Sequence, residues 1–322
     1  MASTQGRGRF LYPSGVDVAQ GAWSRRRVYV PPHDPHRRGP SWRIAMYDVL
    51  RAQPLARADL PAPGTTEWRA FLRDLVHDAL AILRMNNTST RWGSLKGSVS
   101  LASIPSIEPK GTRLRGAHWH SRSSLHFPKD TGLPFEVFED GLLKDHTPNE
   151  QAYIHAMEHA ECLEELVPGL AAIWHMRYQT PWGTANRDFV ELVLTLPLLP
   201  HELPYSHFHE LAMLEALDSG AWPSTPDVPR AEPPALRSFM VVSVPIEHAP
   251  TPGYVRAYYA AVEGVREDLL GTRLGEVGVQ WLMSTQTDAQ GWIPQWVQEW
   301  AMPSQIAVDV PSFLAWVRAK RA

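Results

Sequence analysis

A single cysteine in 322 residues, a formal net charge of only −3 and no long uninterrupted apolar run set limits on this chain at once. Cys162 alone can form no intramolecular disulfide, which fits a reducing, cytoplasmic compartment. The near-neutral balance gives no field for nucleic acid, so no nucleic-acid partner is expected. No segment has the length and apolarity of a membrane span, and the first residues lack the compact hydrophobic stretch of a secretory signal. What the chain does have is an apolar fraction of 44%, enough for a substantial core in one large domain or two ordinary ones.

The opening departs from the average. Through Arg43 it carries Arg7, Arg9, Arg25, Arg26, Arg27, Arg37, Arg38 and Arg43 against only Asp17 and Asp34. Residues 1–58 therefore read as an Arg/Pro/Gly-rich, partly flexible extension with some attraction for an acidic surface or an anionic membrane. A domain is expected over 59–322, with a Pro-rich interruption at about 198–236 holding one short helix.

TTEWRAFLRDLVHDALAILR sets Trp68, Phe71, Leu72, Leu75, Val76, Ala79, Leu80 and Leu83 along one helical stripe. From Trp92 to His126 the sequence reads as strands and turns, and PFEVFEDGLL as a short helix. Thr147, Pro148 and Glu150 have the spacing of a capping box and predict a second helix, with Tyr153, Ala156, Met157, Ala160, Leu163 and Val167 inward and Pro168–Gly169 as its stop. The period then changes. AAIWHMRYQT, RDFVELVLTL, LRSFMVVSVPI and GEVGVQWLMSTQTD read as strands, while GYVRAYYAAVEG fits either period. Gly291 breaks the last strand, Pro294 opens a helix with Trp296 and Trp300 one turn apart, and Pro311 divides or kinks that helix. The fold class is α+β, with long helices to one side of a mostly antiparallel sheet that curves around the C-terminal helix.

Several constellations suggest chemistry without carrying it. HAMEH lacks the H-E-x-x-H spacing, and His118, His120 and His126 reach a common point only if their strand bends, so no metal is expected. HELPYSHFHE reads as a solvated loop, Cys162 as a small core side chain, and PWGTAN lacks phosphate-loop spacing. No cofactor is expected, and no carboxylate pair identifies a general acid and base.

Four segments carry a resemblance: PNEQAYIHAMEHAECLEELVPG, WHMRYQTPWGTANRDFVELV, SFMVVSVPIEHAPTPGYVRAYY and WLMSTQTDAQGWIPQWV. In this order they cover most of residues 90–320, and the chain resembles START-like lipid-binding domains, nearest to the fungal START-like family of unknown function. The resemblance implies a helix-grip fold, in which a bent antiparallel sheet encloses a hydrophobic tunnel against the terminal helix. It favours a strand for Gly253–Ala261. It makes TDAQGWIPQW the hinge into the closing helix, with Trp292 and Trp296 as packing anchors. The implied function is binding or transport of a hydrophobic small molecule or lipid. Trp174, Tyr178, Phe189, Tyr259 and Trp281, with Trp292, Trp296 and Trp300, are candidates to line the cavity. Arg187, Arg256 and Gln280 are candidates to orient a head group, although strand parity leaves open which face each occupies. A cyclase, dehydratase or isomerase using Tyr178, Arg187 or His175 in the same cavity is the alternative, so the sequence leaves catalysis undecided. A ligand-sensing interaction module, touching a protein or membrane through the extension or the 198–236 interruption, is a third reading.

Overall fold

The computed structural model describes residues 50–88, 94–96, 99–105, 117–180, 184–269 and 276–321; the Arg-rich opening lies outside them. Helix α1 (Thr66–Thr88) starts where the Thr65 hydroxyl accepts the Trp68 N–H at 3.1 Å, an N-cap. All eight residues of its apolar stripe are at most 6% exposed. Each large side chain buried this way contributes about 1.5–3 kcal/mol before entropy is counted.

Strands β1 (Ser94–Lys96), β2 (Val99–Pro105) and β3 (His118–His126) follow, then the one-turn helices α2 (Pro128–Thr131) and α3 (Phe135–Phe138) and a π-helical turn over Glu139–Leu143. Next come α4 (His146–Tyr153), β4 (Met157–Val167), β5 (Ala171–Tyr178) and β6 (Arg187–Pro197). After α5 (His207–Ser219) come β7 (Ser238–Pro245), β8 (Val255–Arg256), β9 (Tyr258–Asp268) and β10 (Gly278–Asp288), and α6 (Gln295–Ala307) and α7 (Asp309–Arg321) close the chain. Among the described residues the strands form one sheet in the order β1, β2, β3, β10, β9, β7, β6, β5, β4, with every neighbouring pair antiparallel and short β8 added parallel to β6. The period ambiguity of GYVRAYYAAVEG resolves as strand.

The sheet is covered on both faces, where the sequence suggests helices on one side. Alternate residues of β6, Val190, Leu192, Leu194 and Leu196, join α1 in an outer core. The opposite parity, with Phe239, Val265, Val279 and Trp281 from neighbouring strands, meets Phe138, Ile306, Val310 and Phe313 in an inner core. This is the α+β helix-grip architecture, a large open antiparallel sheet gripping its C-terminal helices.

Four local expectations are corrected. The second helix ends at Tyr153, and EHAECLEELV is strand β4 at the sheet edge, because pairing with β5 outweighs the helix propensity of its Glu, Ala and Leu residues. The capping box does not form: Thr147 is buried and its hydroxyl has no hydrogen-bond partner. Cys162 is exposed on that edge strand rather than in the core. HELPYSHFHE is not a solvated loop, since Tyr205 and His209 are buried and the Tyr205 hydroxyl lies 2.9 and 2.8 Å from the Phe239 and Val265 carbonyls. Pro311 divides the terminal helix as expected. The break falls at Val308, leaving Pro311 in the first turn of α7, where its missing N–H has no partner to lose.

A Cβ on Gly141 would lie 2.6 Å from the Phe313 ring, so the π turn and α7 approach as only glycine permits. Gly141→Ala should lower the unfolding free energy by about 1–3 kcal/mol, read as a reduced urea midpoint at unchanged slope.

Candidate ligand chamber

Strand register settles which side chains share the inner face. Tyr178 pairs with Arg187 and Met176 with Phe189 across β5 and β6, placing Trp174, Tyr178, Arg187, Phe189 and Glu191 together. From β9, β10 and β3 come Tyr259, Glu263, Trp281, Met283 and Arg122, on the parity of the inner-core residues Val265 and Val279. Tyr178, Phe189 and Tyr259 form a chain of edge-to-face rings with centroids 5.4 and 5.2 Å apart.

Tyr178 and Tyr259 lie deep enough that burial raises both phenols well above their ordinary range, yet both keep part of their surface accessible. Glu150 of α4 and Asp309 of α7 show the same combination, with side chains 20% and 17% accessible. These four residues, with Phe189 and Met283, mark a candidate ligand chamber between the inner face, α4 and α7.

The inner face and the helices over it carry several carboxyl groups. Glu263 accepts from Arg122 Nη2 at 2.9 Å and from Trp281 Nε1 at 2.6 Å, and the guanidinium lies 4.1 Å above the indole. Asp309 is 3.8 Å from Arg122 Nε. Burial, with Glu150 and Glu263 adding to it against Arg122, pushes the Asp309 carboxyl up to about 7. Burial likewise raises Glu150, although His146, 3.3 Å away, opposes it. Glu191 is fully buried, its oxygens make no hydrogen bond of acceptable geometry, and burial lifts it well above the carboxylate range against the pull of the nearby Tyr259 N–H.

The family described as "Protein of unknown function (DUF3074)" matches residues 119–317, which takes in all of this inner face from β3 to α7. The chain belongs to that family. A curated relative, "Uncharacterized protein C577.11" of the fission yeast Schizosaccharomyces pombe, is 28% identical over 157 residues, 49% of this chain and 56% of the relative. The chain thus matches little more than half the length of that protein. Among solved structures, "Human StAR-related lipid transfer protein 5" superposes with a TM-score of 0.53 at 15% identity, covering 80% of this chain and all 100% of that one. Human STARD10 gives a TM-score of 0.44 at 14% identity over 81% of this chain and 82% of its own. The first of these shows that this DUF3074 chain has the START fold.

Within that fold the expected site residues divide. Trp174, Tyr178, Phe189, Tyr259 and Trp281 meet on the inner face. Arg187 shares it but turns to the hinge, donating from Nε to the Ala289 carbonyl at 3.2 Å. Arg256 lies on the outer side, gripping Asp188 at 3.1 and 2.6 Å. Gln280 is also outer, accepting from Arg266 at 2.8 Å. His175 leaves β5 on the outer face and sits 3.0 Å from Asp188. Burial pushes Asp188 up, yet Arg256, Thr251 and His175 together hold it below its ordinary range.

Trp292, Trp296 and Trp300 are 73%, 74% and 81% exposed, so the hinge does not use Trp292 and Trp296 as packing anchors. Polar bonds fix it instead. Gln298 accepts the Ala289 N–H at 2.9 Å and donates to the Ile293 carbonyl at 3.0 Å, while Gln290 and Gly291 take left-handed backbone angles. The inward side of α6 presents Glu299, which lies 3.0 Å from His118 Nδ1 and 2.6 Å from His120 Nε2. His126 is elsewhere, bonded to Ser124 at 2.8 Å. Among the described residues no three His, Cys, Asp or Glu side chains are arranged around a common metal position.

Glu150, Glu191, Glu263, Asp309 and Arg122 did not emerge from the sequence as site residues. The available signal was a carboxylate inside an otherwise apolar strand run, Glu191 in FVELVLTL and Glu263 in AAVEGV, where an ionisable group is costly unless paired or used. A separate hollow of about 240 Å³ opens on the outer face, lined by Trp68, Leu72, Leu194, Leu217 and Trp222 and by no ionisable side chain except Arg69.

Two carboxyls should give opposite pH signatures. Burial alone would raise Glu299, but His118 and His120 hold it down to about 2 from 4.5. Its stabilisation is present above the unfolded value and is lost as pH falls toward 2. Glu299→Gln should therefore cost on the order of 1–2 kcal/mol at neutral pH after screening, with increased amide exchange across α6. Asp309, raised from 3.8 to about 7, destabilises the fold as pH climbs through that interval. Asp309→Asn should melt higher than wild type at about pH 8 and equally at about pH 4; a gain of equal size at both would show that the carboxyl is not titrating there.

Proposed function

We propose that the chamber binds one hydrophobic small molecule or lipid, for storage or transport. The carrying observation is the set of side chains, Tyr178, Phe189, Tyr259 and Met283, that share the inner face of the sheet yet keep accessible surface. Each ~100 Å² of apolar surface that a ligand removes from water there contributes about 2–3 kcal/mol before association costs. The START fold supports the reading, since the superposing human protein is named for lipid transfer. The three exposed indoles of Trp292, Trp296 and Trp300 suit the boundary between water and lipid, where a flat amphipathic ring is stable. They would let α6 rest on a membrane during exchange. No helix among the described residues is long and apolar enough to cross one.

Catalysis is the second reading, and Asp309 is the observation that favours it. A carboxyl held near 7 beside Glu150 can give and take a proton at neutral pH, as cyclisation, dehydration or isomerisation of a hydrophobic metabolite requires. Native mass spectrometry of freshly isolated protein, followed by identification of the released molecule, tests both readings. Retention of one apolar molecule is expected, and Met283→Trp, which fills the void, should abolish it while leaving the melting temperature within a few degrees of wild type. Conversion of the retained molecule would select catalysis. No retention, and no uptake of varied apolar compounds, would sink the chamber as a binding site.

A further inference from the structure

The hollow of about 240 Å³ on the outer face is divided from the inner face by the sheet itself, since Leu194 and Leu196 line it from the outer parity of β6. Its wall is apolar. Trp68 and Leu72 of α1, Leu217 of α5 and Trp222 just beyond α5 complete the lining with those two leucines, and all six are at most 6% exposed. The polar groups beside it are already used. The Trp222 indole N–H donates to the Pro197 carbonyl, and the Thr65 hydroxyl donates to the Ala62 carbonyl and accepts the Trp68 N–H.

Charge enters at one place. Thr65, Trp68, Arg69 and Leu72 are spaced i, i+3, i+4 and i+7, so they share one side of the helix start, and all four border the hollow. Arg69 is exposed, which sets its guanidinium at the mouth rather than on the wall. Arg73, one turn further on, is neutralised by Asp218. Glu67 is two residues from Arg69, and residues so spaced do not face each other on a helix. Among the described residues no carboxylate pairs with Arg69. An apolar recess with one unpaired cation at its rim has the polarity of a site for a small acid, apolar end inward and carboxylate outward.

We propose that this hollow binds a compact aromatic carboxylate, with its rings against Trp68 and Trp222 and its carboxylate on Arg69. Size supports a short, broad body. A closed apolar cavity of ~150 Å³ holds benzene, so this larger and partly open hollow admits about two fused rings. Flat rings suit a wall that carries two indoles, because offset and edge-on aromatic contacts add to simple area burial. The guanidinium's parallel donors match the two oxygens of a carboxylate, and a neutral or cationic head would forgo them. Nothing on the inner face takes part, so the site stands or falls apart from the chamber.

The test is calorimetric titration of the full chain with three probes on one skeleton, 2-naphthoate, 2-naphthamide and 2-naphthylmethylamine. Naphthoate should bind with a dissociation constant on the order of 0.1 mM. The amide should bind about three- to ten-fold more weakly, a modest margin because the ion pair is open to solvent, and the amine more weakly still. Arg69→Gln, at an exposed position, should make acid and amide equal without moving the melting temperature. Ala171 lines the hollow from β5, and Ala171→Phe should fill it and abolish binding of all three. Where that variant fails to fold, hydrogen exchange on the wild type decides: naphthoate should slow the amides of Leu170 and of Gly220 to Trp222. Protection confined to α4 and α7 would put the acid on the inner face and overturn the outer site. Equal binding of acid and amide overturns the carboxylate assignment, and failure of all three probes to bind overturns the site.

Discussion

A sheet covered by helices on both faces offers its strands no solvent side, and that constraint governs the rest of this molecule. Central strands such as β6 and β7 place apolar groups at successive positions, some for the outer core under α1 and some for the inner core under α7. Polar groups are tolerated only where a partner is built for them. Asp188 has Arg256, Thr251 and His175 on the outer side, and Glu263 has Arg122 and Trp281 on the inner. Glu191, Glu150 and Asp309 are less completely satisfied, and burial raises all three carboxyls.

The closing helix is made in two pieces. Its break at Val308 divides the helix between two duties. Helix α7 sends Phe313 into a ring cluster with Trp281 and Phe138 at 5.1 and 5.5 Å, while α6 is tied to β3 through Glu299 and its histidines. The ring cluster sits over β10, whereas Tyr178 and Phe189, which keep accessible surface, lie on β5 and β6. An ionic attachment for α6 and an apolar one for α7 let the two halves of one terminal segment differ in strength.

Much of this was legible. The 3.6-residue period of α1, the alternation in β10 and the apolar run of β6 identify their elements directly, and the ordered segments identify the fold. The faces were not legible, for the same reason that the sheet is stable: when both sides are buried, the alternation that marks an inner face disappears. Arg187 and Arg256, which fall on opposite faces in the pairing of β6 with β8, could not be told apart by pattern, yet one holds the hinge and the other the outer Asp188. In β4, helix-forming residues concealed an edge strand whose pairing is a long-range fact. For Trp296 and Trp300 the one-turn spacing was right, but nothing local says whether a stripe of indoles turns to core or to solvent.

Strand β4 has one further consequence. Among the described residues it is the last strand of the sheet, so one row of its main-chain N–H and C=O groups is a template for any extended chain that meets it. Along that margin stand Glu158, Glu161, Glu164 and Glu165, all exposed, and three register irregularities interrupt its pairing with β5. A second copy approaching edge to edge would bring like charges together along a strand too irregular to match. The helix-like composition that conceals the strand in the sequence thus protects the folded protein from polymerising through its own sheet.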